Sequence, residues 1–346
     1  MIHRLRKLEA AGAIPSPSRL SQIVPEPSRA LRVCTYAIAM LAFQPAAAEY
    51  PDRPVRVVVA QPAGGNADLV SRSFAQKLTD RFGVQFVVDN RGGGGGIIGT
   101  EIAIHAVPDG YTLLIVPTAL GTNPALVKKL PFDARRDLAP ISQLTAGPNI
   151  VVVPANSPFK NVGDIITAAQ AQPGKLSFAS SGLANATHMA GELFKYMAKV
   201  NILHVPYKGS PSAMVATSAG ETELAFAGIA GAMPLIRSGR LRPIAVTGAK
   251  RWQTLPEVPT IADSGVPGYE SSNWYAMFAP LKMPPKIINL IYSEIATIAK
   301  SADMRSRLIP DGQEPLGTTP KELEAHLVNE IAKWTELGKA AGLTAN

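Results

Sequence analysis

A single cysteine, Cys34, stands among 346 residues, and it falls within the first 48. Without that segment the chain has no thiol, which excludes disulfides, thiolate metal sites and a cysteine nucleophile. Long apolar runs are scarce as well. The stretch Val33 to Phe43 spans eleven residues, whereas a membrane-crossing helix needs about 20. No basic stripe is present. Lys and Arg number 34 against 26 Asp and Glu, but six of those bases and two of those acids precede Glu49, leaving 28 against 24. So small an excess argues against nucleic acid as a partner and suits a small anionic ligand. Catalytic signatures are missing too. No serine lies in G-x-S-x-G, no H-E-x-x-H occurs, and His105, His188, His204 and His326 are far apart in sequence. No catalytic residue, metal or cofactor is therefore expected.

What is present begins with a leader. Arg29 and Arg32, the apolar run and Ala46-Ala47-Ala48 form the three regions of a secretory signal, with cleavage expected before Glu49. Beyond it, 25 of the chain's 30 prolines punctuate an alternating pattern. Strands are expected at Val55–Ala60, Phe86–Val88 and Thr112–Val116, with helices at Ala67–Arg81 and Ile97–Ala106 between them. A second unit opens at Ile150–Val153. It continues with helices at Val162–Ala171, His188–Met197 and Pro211–Ala219, and strands at Leu176–Ala179, Ile202–Val205, Leu224–Ala227 and Leu241–Val246. After a short strand at Tyr275–Phe278 come two long helical patterns, Pro285–Ser301 and Pro320–Ala341, expected to return and pack on the first unit. The reading is α/β, with mostly parallel sheets covered on both faces. The length suits two domains, since single cores stop growing at roughly 250 to 300 residues.

The run Gly92 to Gly96, with Gly99, satisfies G-x-G-x-x-G between a strand and a helix. A dinucleotide site also needs an acid at the end of the following strand, and Leu114-Ile115-Val116-Pro117-Thr118 supplies none. No lysine and hydroxyl follow the glycines as a phosphate loop requires, so the run reads as a tight turn. Three quieter loops carry more free backbone donors: Pro62 to Asp68, Pro117 to Asn123, and Ser180 to Asn185. Each can aim helix N-terminal N–H groups at a carboxylate. Ordinary capping by Asn66, Thr118 and Asn185 accounts for them equally well. His188, near Ser180 and Ser181, reads as a side chain tying down a loop rather than as a catalytic base.

The phrases around these loops resemble a known family. Tyr50-Pro51-Asp52-Arg53-Pro54-Val55-Arg56, Pro62-Ala63-Gly64-Gly65-x-x-Asp68, Asn90-Arg91-Gly92, Pro108-Asp109-Gly110-Tyr111-Thr112, His204-Val205-Pro206-Tyr207-Lys208-Gly209, Leu255-Pro256-x-Val258-Pro259-Thr260 and Gly265-x-Pro267-Gly268-Tyr269-Glu270 look like those of the Bug family. These are periplasmic receptors of tripartite tricarboxylate transporters, and the match runs from about Tyr50 to the C-terminus. The resemblance implies a type II periplasmic binding fold: two doubly wound α/β lobes joined by two crossovers, near Ile150–Pro154 and Ser272–Tyr275. Residues 49–149 with 275–346 would form lobe 1 and 150–274 lobe 2. It implies a monomeric, non-catalytic receptor that closes on a small organic carboxylate (a di- or tricarboxylate or an aromatic acid) and delivers it to membrane permease subunits. The ligand residues it implies are Gln61, Ala63, Gly65, Asn66 and Asp68 in the first loop and Thr118, Ala119 and Asn123 in the second. Lobe 2 would add Ser180, Ser181, Asn185, Tyr207, Phe226 and Ala227.

Three positions depart from the family pattern. Gln61 replaces a common aromatic, Gly182-Leu183-Ala184-Asn185 replaces G-x-G-S/T, and Ala227 replaces a frequent acid after Phe226. The last change points to a carboxylate without an amine. Two rival functions stand beside the receptor. One is an exported hydrolase on the same scaffold, with Asp68 and His188 as its candidates. The other is a ligand sensor for a signalling partner.

Overall fold

The computed structural model describes residues 50–343; the expected leader and its cleavage site lie outside the described residues. The first sheet is built from β1 (Val55–Val59), α1 (Asn66–Phe82), β2 (Phe86–Asn90), α2 (Ile97–Ile104), β3 (Thr112–Pro117), α3 (Ala119–Leu126), α4 (Ala134–Asp137) and β4 (Leu138–Pro154). The second adds α5 (Val162–Ala171), β5 (Ser177–Ser180), α6 (Ala186–Ala198), β6 (Leu203–Pro206), α7 (Ser210–Ser218), β7 (Leu224–Gly228), α8 (Ile229–Arg237) and β8 (Leu241–Val246). The chain returns through β9 (Ser272–Pro280), α9 (Pro285–Lys300), α10 (Ala302–Leu308), β10 (Glu314–Pro315) and α11 (Pro320–Ala340).

Both lobes repeat one strand order. In the first, β2-β1-β3-β9-β4 places β9 antiparallel between β3 and β4; in the second, β6-β5-β7-β4-β8 places β4 antiparallel between β7 and β8. Each lobe thus admits one strand that arrives from the other. Residues alternate into cores on the two faces because helices cover both. Val57 and Val59 face α1, α9 and α10, while Val58 and Ala60 face α2, α3 and α11. In the second lobe Val151 and Phe226 face α5 and α6, and Ile150 and Ala227 face α7 and α8.

The crossovers lie side by side. β4 pairs with β9 as far as Pro148 and with β7 from Asn149 onward. The return path is fastened to it by Thr247, which is fully buried. The Thr247 hydroxyl accepts from Asn149 N at 2.8 Å and donates to Ser271 O at 2.7 Å. Its backbone N–H donates to Asn149 O, and its carbonyl accepts from Ser271 N.

Four features differ from the sequence pattern. β4 begins at Leu138 rather than Ile150, because Pro140 is accommodated at a register irregularity beside Ser142 and the strand resumes. α3 and α8 carry Pro124 and Pro234 in their interiors, residues that read as breaks. α11 does not pack on one lobe alone. Its 21 residues reach roughly 30 Å, so Leu323 and Leu327 enter the first lobe's core while Trp334 and Leu337 enter the second's.

Candidate functional site

The loops that follow β1, β3, β5 and β7 meet between the lobes. Gln61 Nε2 donates to Asn185 Oδ1 at 3.1 Å, and the Thr122 hydroxyl donates to Ala184 O. A methyl group on Gly228 would lie 2.8 Å from Asn66 Nδ2, so these residues also touch. Ends of parallel strands at a switch in strand order are where α/β sheets open a ligand crevice, and here two such ends face each other.

Capping does not occupy these helix ends. The N-cap residues of α1, α3, α6 and α8 are Gly65, Thr118, Asn185 and Gly228, and none makes a side-chain cap bond. Elsewhere Asp133, Asn161, Ser301 and Thr319 cap α4, α5, α10 and α11, while α2, α7 and α9 also begin without a side-chain cap. The expected capping roles of Asn66, Thr118 and Asn185 are thus corrected. Asn66 lies one residue inside its helix. Thr118 Oγ1 accepts from Trp274 N at 3.0 Å, and Asn185 bonds Gln61 and Ser181 O. Four helix N-termini, each with the partial positive charge of its dipole, thus begin without a side-chain cap where the loops of the two lobes meet.

A sequence model of the tripartite tricarboxylate transporter family receptors, TctC, matches residues 70–343. The chain belongs to this family. It is 32% identical over 310 residues to Protein BugT of Bordetella pertussis, covering 88% of this chain and 94% of BugT. The solved structure of R. palustris Rpa4515 with adipate superimposes with a TM-score of 0.81 at 34% identity, covering 85% of this chain and 99% of that one. MatC from Rhodopseudomonas palustris with bound malate gives 0.77 at 26% identity, covering 84% and 100%. TctC proteins are receptors, and the fold found here is shared with the periplasmic binding protein BugD, with a TM-score of 0.79 at 31% identity.

In this TctC receptor the expected site residues divide into two groups. Gln61, Ala63, Gly65 and Asn66 line the first loop. The amide of Asn123 donates to Gly95 O at 3.1 Å, leaving its own Oδ1 without a partner. Asp68 is already engaged: Gly64 N–H donates to it at 3.1 Å, and Arg72 Nε lies 3.0 Å away. Burial pushes the Asp68 carboxyl up, but these partners outweigh it and hold the group below the usual range. Thr118 and Ala119 are fully buried. The Ser180 hydroxyl is 2.7 Å from His204 Nε2, and Ser181 is 2.8 Å from the Thr187 hydroxyl, so both are spent within lobe 2. The Tyr207 hydroxyl turns to Glu221. The side chains of Phe226 and Ala227 lie in the core, on opposite faces of β7.

The glycine run is closer to the cleft than a plain turn after β2. Gly95, with φ of +65°, lies where a methyl group would come 3.1 Å from Asn123 Oδ1 and 3.5 Å from Ala184 Cβ of the other lobe. Thr122 and Ala184 fall inside the loops read from sequence as ligand-facing, whereas Gly95 reads there as part of a tight turn. The one available signal was Ala184 where the family carries glycine, and its φ of +60° is a conformation a side chain disfavours.

His188 holds that strained loop. Its Nδ1 accepts from Ala184 N at 3.2 Å, which requires the neutral ring with its proton on Nε2, 3.8 Å from Glu192. The ring stacks on His204 at 4.0 Å between centroids. Burial, with the nearby Lys195 charge, pushes His188 down to about 4. Burial, with His188 and Lys195, pushes His204 down to about 3. Among the described residues no group of three or more His, Cys, Asp or Glu forms a metal site.

Proposed function

We propose that this TctC receptor, exported to the periplasm by cleavage of its leader, captures a small dicarboxylate without an amine and presents it to membrane permease subunits as a monomer. Residues 49–149 with 275–346, and 150–274, act as the two jaws. The observation that carries the reading is the set of four uncapped helix N-termini brought to one cleft by loops from both lobes. N–H groups at helix ends hold carboxylates without a lysine or arginine. Two ends on each lobe match an acid with a carboxylate at each end, which is the chemistry of the adipate and malate bound by its structural relatives. The argument against an amine rests on Asp68, the acid of these loops, whose charge is already balanced by Arg72 Nε 3.0 Å away. Among the described residues no helix is long and apolar enough to cross a membrane.

The test is thermal unfolding with adipate, malate, succinate and aspartate. A ligand at a hundred times its Kd adds about 2.7 kcal/mol, which moves the midpoint by several degrees in a chain of this size. Amine-free dicarboxylates are expected to give the larger shifts. A larger shift with aspartate than with succinate rejects the amine-free assignment, and no shift with any acid rejects the receptor reading.

A further inference from the structure

Asn149 is fully buried where β4 passes from one sheet to the other, and neither atom of its side-chain amide has a hydrogen-bond partner in the protein. It directly opposes Gly228 in the antiparallel β4–β7 pair. Side chains of directly opposed residues leave the same face of the sheet, with Cβ atoms about 4.5–5.5 Å apart. Gly228 has none, and the space its methyl would fill lies 2.8 Å from Asn66 Nδ2. Asn149 therefore leaves the sheet on the face where Asn66 Nδ2 lies over Gly228, and Asn66 Nδ2 is likewise buried without a partner. Gly228 is itself the uncapped N-cap of α8.

We propose that Asn149 is a ligand-contacting residue: with Asn66 it forms an amide floor that donates to one carboxylate of the captured acid. This assignment rests on the receptor reading and deepens it. The floor draws one residue from each lobe and one from the crossover, so it is assembled only when the lobes approach. Two unpaired NH2 groups beside a helix N-terminus present donors and partial positive charge together, which suits a carboxylate oxygen. An amide buried without partners costs the folded chain its lost hydration, and a bound carboxylate supplies acceptors for its NH2 donors. Gly228 supplies the room, because its φ of −68° is open to any residue and backbone geometry does not demand glycine there.

The experiment compares the parent chain with Asn149→Leu and Gly228→Ala by calorimetric titration with adipate and malate, alongside urea unfolding without ligand. Asn149→Leu keeps the size and removes the donors. Its unfolding midpoint is expected to hold or rise, while affinity for the acid that binds the parent falls at least tenfold. Gly228→Ala is expected to lower affinity at least tenfold with its midpoint unchanged, by filling the space over the floor. Parent-like affinity within threefold in Asn149→Leu overturns the assignment. So does a fall in stability that accompanies the loss of affinity in both variants, which marks a structural role. A parent chain that takes up neither acid overturns the receptor reading and this assignment with it.

Discussion

Two of the three positions where the chain departs from its family pattern are bonded to each other. Gln61 in the first loop and Asn185 in the second join across the cleft, a link that an aromatic residue at position 61 would not make. It was not legible from sequence, because 124 residues separate the partners and each taken alone reads as a loop polar residue. Asn149 escaped for a related reason: one asparagine within an apolar strand carries no pattern. Asn66 and Asn123 stand as candidates in the sequence because both belong to segments that follow a strand. The Gln61–Asn185 bond forms only when the lobes meet, so its worth enters ligand affinity more than unliganded stability. Gln61→Ala is expected to weaken dicarboxylate binding several-fold, the equivalent of about 0.5–1.5 kcal/mol. In titrations of Gln61→Ala, Asn185→Ala and the double variant, the losses are expected to be less than additive. Full additivity means the two side chains do not act as a pair.

At the scale of elements, periodicity located most of the strands and helices of both sheets, and failed where proline or glycine interrupts a pattern that packing nonetheless sustains. α3 holds Gly121 and Pro124 and is still seated against α11, where a methyl on Gly121 would come 3.1 Å from Glu330 Cβ. Tertiary contact there overrides weak local preference. α6 was legible as a helix, but the stacked histidines behind it were not, since His188 and His204 belong to different elements. Their titration has a predictable sign. Both are held neutral in the folded chain, well below the ordinary histidine value, so the unfolded chain binds protons first as pH falls. Stability is full above about pH 6.5 and declines toward pH 4, by about 1.4 kcal/mol per histidine for each pH unit crossed. The charged groups that face the pair are Glu192 and Lys195 on α6 itself. Urea unfolding at pH 6.5, 6.0, 5.5 and 5.0 is expected to show this decline, and His204→Phe to show a shallower one. Equal slopes in the two chains mean that His204 does not titrate in this window.

On the whole molecule, the repeated strand order ties the two halves together: each sheet is completed by a strand from the other half, and the two crossovers share one short region. Sequence patterning anticipated two α/β lobes but not the 17-residue β4 that runs through both sheets, because Gly147 and Pro148 mark a break exactly where the strand changes partners. Nor did it anticipate α11 as a link between the two cores. The crossovers are bound together through Thr247, whose hydroxyl serves Asn149 N and Ser271 O at once. Thr247→Val keeps the shape and removes that hydroxyl, leaving a buried N–H and a buried carbonyl each short of a partner. At about 1–3 kcal/mol for each orphaned group, the variant is expected to unfold about 2–6 kcal/mol more easily in urea. Thr247→Ser restores the oxygen and is expected to recover most of the loss, and that recovery separates the hydrogen bonds from the packing of the methyl group. If Thr247→Val is as stable as the parent, the crossovers are held by their backbone ladder alone, and the hydroxyl has no part in fastening the hinge.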